Sequence, residues 1–152
     1  MSKFYVLLGS NIEPEKNIPI ALGFLGASAE WVLLSKSGIW RTKPIGSCCT
    51  DFLNVAVLVE TPLSPNELKN RLAAIESAMG RVRTEDKNAP RVIDLDIVAE
   101  DDRVIDKEIS VFDHILLPLS EIAPNMLLPD SLTDLAEASA ARKKFTAAVR
   151  VD

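Results

Sequence analysis

The chain has 152 residues, is 47% hydrophobic and carries a formal net charge of −5. That length fits one domain, residues 1–152, and that apolar content excludes a chain disordered by composition. An acidic chain lacks the broad basic surface that nucleic acid requires, so any phosphate ligand must meet a local basic cluster. The first apolar run ends at Gly9, too short for a signal-peptide core or a membrane span. The expectation is a cytoplasmic protein with neither a membrane nor a nucleic-acid partner; its oligomeric state is left open. Cys48 and Cys49 are adjacent and the chain has a single histidine, His114. Two reduced thiols in a loop are expected, with no disulfide framework and no zinc pattern.

Phe4 to Leu8 reads as a buried strand, closed by the turn residues Gly9-Ser10-Asn11. Ser10 or Asn11 is a candidate cap for a helix from Pro14 to about Ala27, with Ile18, Leu22 and Leu25 at helical spacing. Pro19 suits a helix interior poorly, so an effective start near Asn17 is expected. Trp31 to Trp40 contains a second strand, followed by a loop over 41–51. Phe52 to Glu60 is the clearest strand. Asn54 shares a face with Phe52 and Ala56, and it either closes a backbone turn or bulge, or reads a polar heterocycle. Ser64, Pro65 and Glu67 form a capping-box signature for a helix to about Met79, stopped by Gly80. Glu76 lies in its last turn, either solvated or turned toward the arginines that follow.

Residues 81–97 hold the chemistry. Arg81, Arg83 and Arg91 offer charged forks for phosphate oxygens. Residues 92–98 read as a strand, which puts Asp94 and Asp96 on one face as hard oxygen ligands for magnesium. The bland alternative is an exposed strand face balanced by nearby arginines. Neither a Walker A sequence nor a kinase glycine-rich loop is present. Val104-Ile105 is expected to close a hairpin, Ile109–Val111 to be extended, and residues 116–124 to form a single helical turn. Ser131 to about Val149 has a moderately helical pattern. The order β-α-β-β-α-β predicts an α+β fold with a ferredoxin-like core, an added hairpin and a closing helix.

Seven ordered blocks carry a resemblance: L-G-S-N (8–11), R-T-x-P-I-G (41–46), D-F-L-N-x-A-V (51–57), L-S-P-x-E-L (63–68), I-E-x-x-M-G-R-V-R (75–83), P-R-x-I-D-L-D-I (90–97) and P-L-x-E-I-A-P (118–124). With these the chain resembles the 6-hydroxymethyl-7,8-dihydropterin pyrophosphokinase family. The resemblance implies transfer of the β,γ-diphosphate of ATP to a reduced pterin, with release of AMP, in folate synthesis. It implies that Asp94 and Asp96 hold two magnesium ions and that Arg81 and Arg91 contact the polyphosphate. Arg83 would belong to a closing loop, and Glu76 and Ile97 to the ATP side. Thr42, Pro44, Ile45, Phe52 and Asn54 would form the pterin side. His114 aligns with either the family's nucleotide-side histidine or its second pterin-stacking aromatic. Counting back from Pro118 favours the pterin side, and a merely structural histidine is the third option.

Two departures from the family pattern stand out. The run K-N-A-P-R (87–91) has no aromatic where members carry a tryptophan, and the segment between Val111 and Pro118 is short. They motivate an alternative: a relative that binds nucleotide or a pterin-like ligand but turns over weakly.

Overall fold

In the computed structural model the described residues are 1–43, 50–81 and 90–152. The sequence expectations for Pro44, Ile45, Cys48, Cys49 and Arg83 lie outside them.

The chain runs through β1 (Ser2–Ser10), α1 (Pro14–Ala27), β2 (Val32–Lys36), β3 (Trp40–Thr42), β4 (Phe52–Thr61), α2 (Pro65–Ala78) and β5 (Asp94–Glu100). It continues with β6 (Arg103–Val104), a 3-10 turn (Lys107–Ser110), α3 (Asp113–Ile122), α4 (Leu135–Arg142) and β7 (Val149–Arg150). The strands form one sheet in the order β6-β5-β1-β4-β3-β7, with β2 also paired to β4. β1 is antiparallel to both β4 and β5, and β2 and β3 share the far edge of β4. That is the expected split β-α-β-β-α-β core, and β6 closes the expected hairpin on β5.

Both faces of the sheet are buried. Phe4, Val6 and Leu8 of β1 join Val55, Val57 and Val59 of β4 and Leu95 of β5 on the first face, beneath Ile18 and Leu25 of α1 and Leu68 and Leu72 of α2. Tyr5, Leu7, Ala56 and Val98 form the second face, beneath Ile115, Leu116 and Leu119 of α3 and Leu135 of α4. This explains why β1 and β4 read as continuous apolar runs rather than alternating ones. A register shift between Tyr5 and Val6, opposite Val98, changes the pairing along β5. The carboxylate end and the core end of β5 thereby follow separate registers.

Several local expectations are corrected. α1 starts at Pro14 and keeps Pro19 inside it, with the ring on the exposed side of the helix. Ser10 and Asn11 do not cap it. Glu13 stands at the N-cap with φ 41° and no side-chain cap bond, while Ser10 Oγ donates to the Ile12 carbonyl. The strand expected within 31–40 divides in two, because Ser37 bonds Ala56 of β4 through both its backbone N–H and its Oγ. Ile109 belongs to a 3-10 turn rather than to an extended piece. Residues 113–122 form a full ten-residue helix around Pro118, not one turn. The helix expected over 131–149 is confined to Leu135–Arg142 and capped by Asp134, and Val149–Arg150 turn back as a strand on β3.

The capping box of α2 is complete. Ser64 Oγ accepts from Glu67 N at 3.1 Å, and Glu67 Oε1 accepts from Ser64 N at 3.0 Å. Ser64→Ala is expected to cost about 1 kcal/mol, lowering the melting temperature by roughly 2–4 °C in a thermal unfolding scan.

Candidate active site

The register of four strands gathers the polar residues. Gly9 of β1 lies between Asp94 of β5 and Asn54 of β4, and Leu7 lies between Asp96 and Ala56. Trp40 of β3 pairs with Asn54, and Thr42 pairs with Phe52. Side chains two apart share a face. Asp94, Asp96, Asn54, Phe52 and Thr42 therefore stand together on the second face of the sheet, as the spacing of the two aspartates predicted.

Asp94 is held from two sides. Its Oδ1 accepts from Arg81 Nη1 at 2.8 Å and its Oδ2 from Arg91 Nη1 at 2.7 Å. Arg81 Nη1 also donates to Glu76 Oε2 at 2.5 Å, and that oxygen accepts from Leu95 N at 2.8 Å. Glu76 is only 4% exposed, which excludes the solvated reading. Arg91 is fixed through its backbone as well. Its N–H donates to Asn11 Oδ1 at 2.7 Å and its carbonyl accepts from Asn11 N at 3.1 Å. Asn11, expected as a helix cap, instead fastens the end of β1 to the start of the aspartate segment.

The electrostatics follow from crowding. Burial pushes the Asp96 carboxyl up to about 7, helped by the charge of Asp94, a hydrogen bond to it and the charge of Glu76, while Arg81 offsets part of this. Two adjacent carboxylates cannot both ionise cheaply. His114 moves the other way. Burial lowers its pKa below the ordinary value, although Asp106, Asp94 and Asp113 oppose the shift, so the ring is neutral at pH 7.

Two cavities meet at this point. The first, about 360 Å³, is lined by Thr42, Phe52, Asn54, Phe112, His114 and Ile115. The second, about 580 Å³, is lined by Lys69, Ala73, Glu76, Arg81 and Ile97. Arg91, Asp94, Asp96 and Asp106 line both. Asn54 is buried and its Nδ2 donates to Thr42 Oγ1 at 2.7 Å, so it ties two strands together at the cavity wall rather than closing a turn. The rings of Phe112 and His114 lie 5.4 Å apart at an angle of 34°.

The family model for 7,8-dihydro-6-hydroxymethylpterin-pyrophosphokinase (HPPK) matches residues 5–124. The chain belongs to this family. A 2-amino-4-hydroxy-6-hydroxymethyldihydropteridine pyrophosphokinase of Methylorubrum extorquens is 36% identical over 138 residues, covering 84% of this chain and 87% of the relative. One from Haemophilus influenzae is 32% identical over 151 residues, covering 91% and 94%. A crystal structure of Plasmodium falciparum HPPK-DHPS superposes with a TM-score of 0.70 at 12% identity. That superposition covers 95% of this chain and 44% of the solved one, and it supports the α+β fold alone.

The pyrophosphokinase-family residues expected from sequence thus fall into two groups. Thr42, Phe52, Asn54 and His114 share the first cavity, and Glu76, Arg81 and Ile97 share the second. His114 lines the first cavity and not the second. Several cavity residues escaped the sequence reading, Lys43 and Glu108 of the first cavity among them. Phe112 and Ile115 line the first cavity, and Lys69 lines the second. Asp106 lines both. The F-D-H-I run (112–115) was a usable signal for Phe112. Lys69 and Asp106 had none, because a lysine on a helix and an aspartate in a turn are ordinary surface residues.

The raised pKa of Asp96 has a stability consequence. The folded state holds this proton to about pH 7, whereas an unfolded aspartate releases it near 3.8. In the metal-free protein the ionised carboxylate destabilises the fold increasingly between those values and fully above 7. Asp96→Asn removes that penalty. Because Asp96 keeps contact with solvent, which screens part of the effect, its melting temperature should exceed that of the parent by roughly 2–4 °C at pH 8. Differential scanning calorimetry at pH 4 should find the two equal.

Proposed function

We propose that the first cavity receives the reduced pterin and the second receives ATP, with Asp94, Asp96 and Arg91 at the boundary where transfer takes place. The family's reaction moves pyrophosphate from ATP to the hydroxymethyl group of 6-hydroxymethyl-7,8-dihydropterin in folate synthesis, and the chain is an ATP-dependent pyrophosphokinase. The observation that carries the division of labour is that these residues line both cavities. Two substrates bound on either side have their reacting atoms closest at this seam.

On the pterin side, Phe52 and His114 provide flat surfaces for a flat heterocycle. Thr42 Oγ1 holds one N–H of the Asn54 amide, which leaves its carbonyl oxygen and second N–H to read the ring edge. On the nucleotide side, Arg81 is aimed by Glu76, and Arg91 by its backbone bonds to Asn11. Both guanidinium groups suit phosphate oxygens. The pterin hydroxyl oxygen forms a bond to the β-phosphorus, and the bond to the oxygen bridging to the α-phosphorus breaks. AMP leaves and the hydroxyl proton is released. The arginines contribute by positioning and by stabilising charge on the transferred group. Arg83, Pro44 and Ile45 are assigned to the closing loop and the pterin wall on the family resemblance.

The donor set fits magnesium. Among the described residues no three His, Cys, Asp or Glu side chains gather into a metal cage. Magnesium commonly takes one or two carboxylates and fills its sphere with water and substrate phosphates. Asp94 and Asp96 would hold two ions, which when bound neutralise the triphosphate and align it. Burial, and then the neighbouring Asp94 carboxylate, hold the Asp96 proton to about 7.

With ATP, magnesium and the hydroxymethyl-dihydropterin, the chain should produce AMP. Asp96→Ala should lower kcat by at least about 100-fold without lowering the melting temperature, and a parallel loss of both would assign Asp96 a structural role. Pterin binding without AMP would select the weakly turning relative that the short 111–118 segment motivates. No binding of either ligand would reject both readings. Magnesium binding must also displace the Asp96 proton below about pH 7. Calorimetric titration in buffers of different ionisation heat should detect proton release at pH 6 and none at pH 8, with affinity rising between the two.

A further inference from the structure

Glu121 lies in the last turn of α3, outside both cavities, yet its carboxylate meets three residues from two other parts of the chain. Oε1 accepts from Gly38 N at 3.0 Å and from Trp40 Nε1 at 2.9 Å. Oε2 stands 3.6 Å from Arg150 Nε of β7. Trp40 is 6% exposed, and a buried indole N–H needs an acceptor. The segment that carries these donors is gripped from behind. Ile39 N donates to Asp152 Oδ1 at 2.9 Å, Val151 N donates to the Ile39 carbonyl at 2.8 Å, and Trp40 pairs with Arg150. A Cβ at Gly38 would sit 2.0 Å from Arg150 Nε, so a larger residue there would displace the Arg150 side chain.

That segment leads directly to the cavity wall. Trp40 pairs across strands with Asn54, and two residues on, Thr42 accepts from the Asn54 amide. On its other side Glu121 belongs to the helix that bears His114. The two are seven residues apart, two turns along one face and about 10 Å along the axis. One carboxylate therefore fastens the helix of one cavity wall to the strand of the opposite wall.

We infer that Glu121 is a positioning residue for the pterin side of the reaction: through Gly38 N and Trp40 Nε1 it sets where β3 holds Thr42, and so where the Asn54 amide and the His114 ring face one another. The inference rests on the assignment of the first cavity to the pterin. The contact to Arg150 is partly exposed and is the lesser part, since exposed ion pairs contribute little. The two hydrogen bonds need an acceptor rather than a charge, so glutamine preserves the role and alanine removes it.

The test measures hydroxymethyl-dihydropterin and ATP separately in Glu121→Ala, Glu121→Gln and the parent chain. Glu121→Ala should raise KM for the pterin about tenfold, and its Kd by the same factor without ATP, while KM for ATP stays within about twofold. Glu121→Gln should remain within about threefold of the parent for both substrates. Trp40 and Trp31 are the two tryptophans, and Trp31 has its own bond to the Leu25 carbonyl. A change in indole emission in the alanine variant, restored in the glutamine variant, therefore reports the Trp40 contact. If Glu121→Ala melts earlier but binds pterin like the parent, Glu121 is merely structural and the inference is wrong. If KM rises equally for both substrates, the positioning is not specific to the pterin wall, which also overturns it. A parent chain that binds no pterin at all refutes the cavity assignment itself, and that outcome is visible before any variant is made.

Discussion

The Asp94 carboxylate, held between Arg81 and Arg91, is the interaction on which the rest of the site depends. Both arginines come from the chain on either side of a segment that precedes β5, and both are oriented by acids or amides fixed to the sheet. Glu76 stands beneath Arg81 and is itself anchored to the backbone of β5 through Leu95 N. Asn11 ties Arg91 to the end of β1. Such a cluster of mostly buried charges is seldom a net gain in stability, because desolvation offsets the attraction. What it does fix is orientation: the guanidinium groups of Arg81 and Arg91 and the Asp94 carboxylate are held in place by bonds to one another, to Glu76 and to Asn11.

The scaffold makes this affordable by burying both faces of the sheet over most of their area. The first face packs under α1 and α2, the second under α3 and α4, and Asp94, Asp96, Asn54 and Thr42 gather at one end of the second face. The irregular pairing opposite Val98 separates the two duties of β5. Before it, Asp94 and Asp96 alternate with the core residues Leu95 and Ile97; after it, Val98 and Ala99 enter the opposite core. One strand thus supplies acid to the site and apolar surface to both layers.

The sequence was most informative where one residue type had one physical use. The capping box of α2, the buried strands β1 and β4, and the shared face of Asp94 and Asp96 all follow from local rules. It was least informative where tertiary contacts override them. Pro118 read as punctuation, but Leu116, Leu117 and Leu119 around it are buried and hold the helix across it. Asn11 read as a cap because a local amide prefers one, yet its partner lies 80 residues away. Ser37 broke an apparent single strand by taking the place of a backbone partner. Asp106 and Lys69 became visible only once the sheet had brought distant loops and helix faces to one boundary.

Gly9 sits between Asp94 and Asn54 and forms the floor of the first cavity by having no side chain. A Cβ there would lie 3.1 Å from Asn54 Oδ1 and 3.7 Å from the Phe52 ring. The floor is therefore main chain, and main chain presents the same atoms whatever the mutation. An inhibitor resting on Gly9 would contact a surface that escape mutations cannot trim away. They can only raise it, and a raised floor displaces the Asn54 amide and the Phe52 ring.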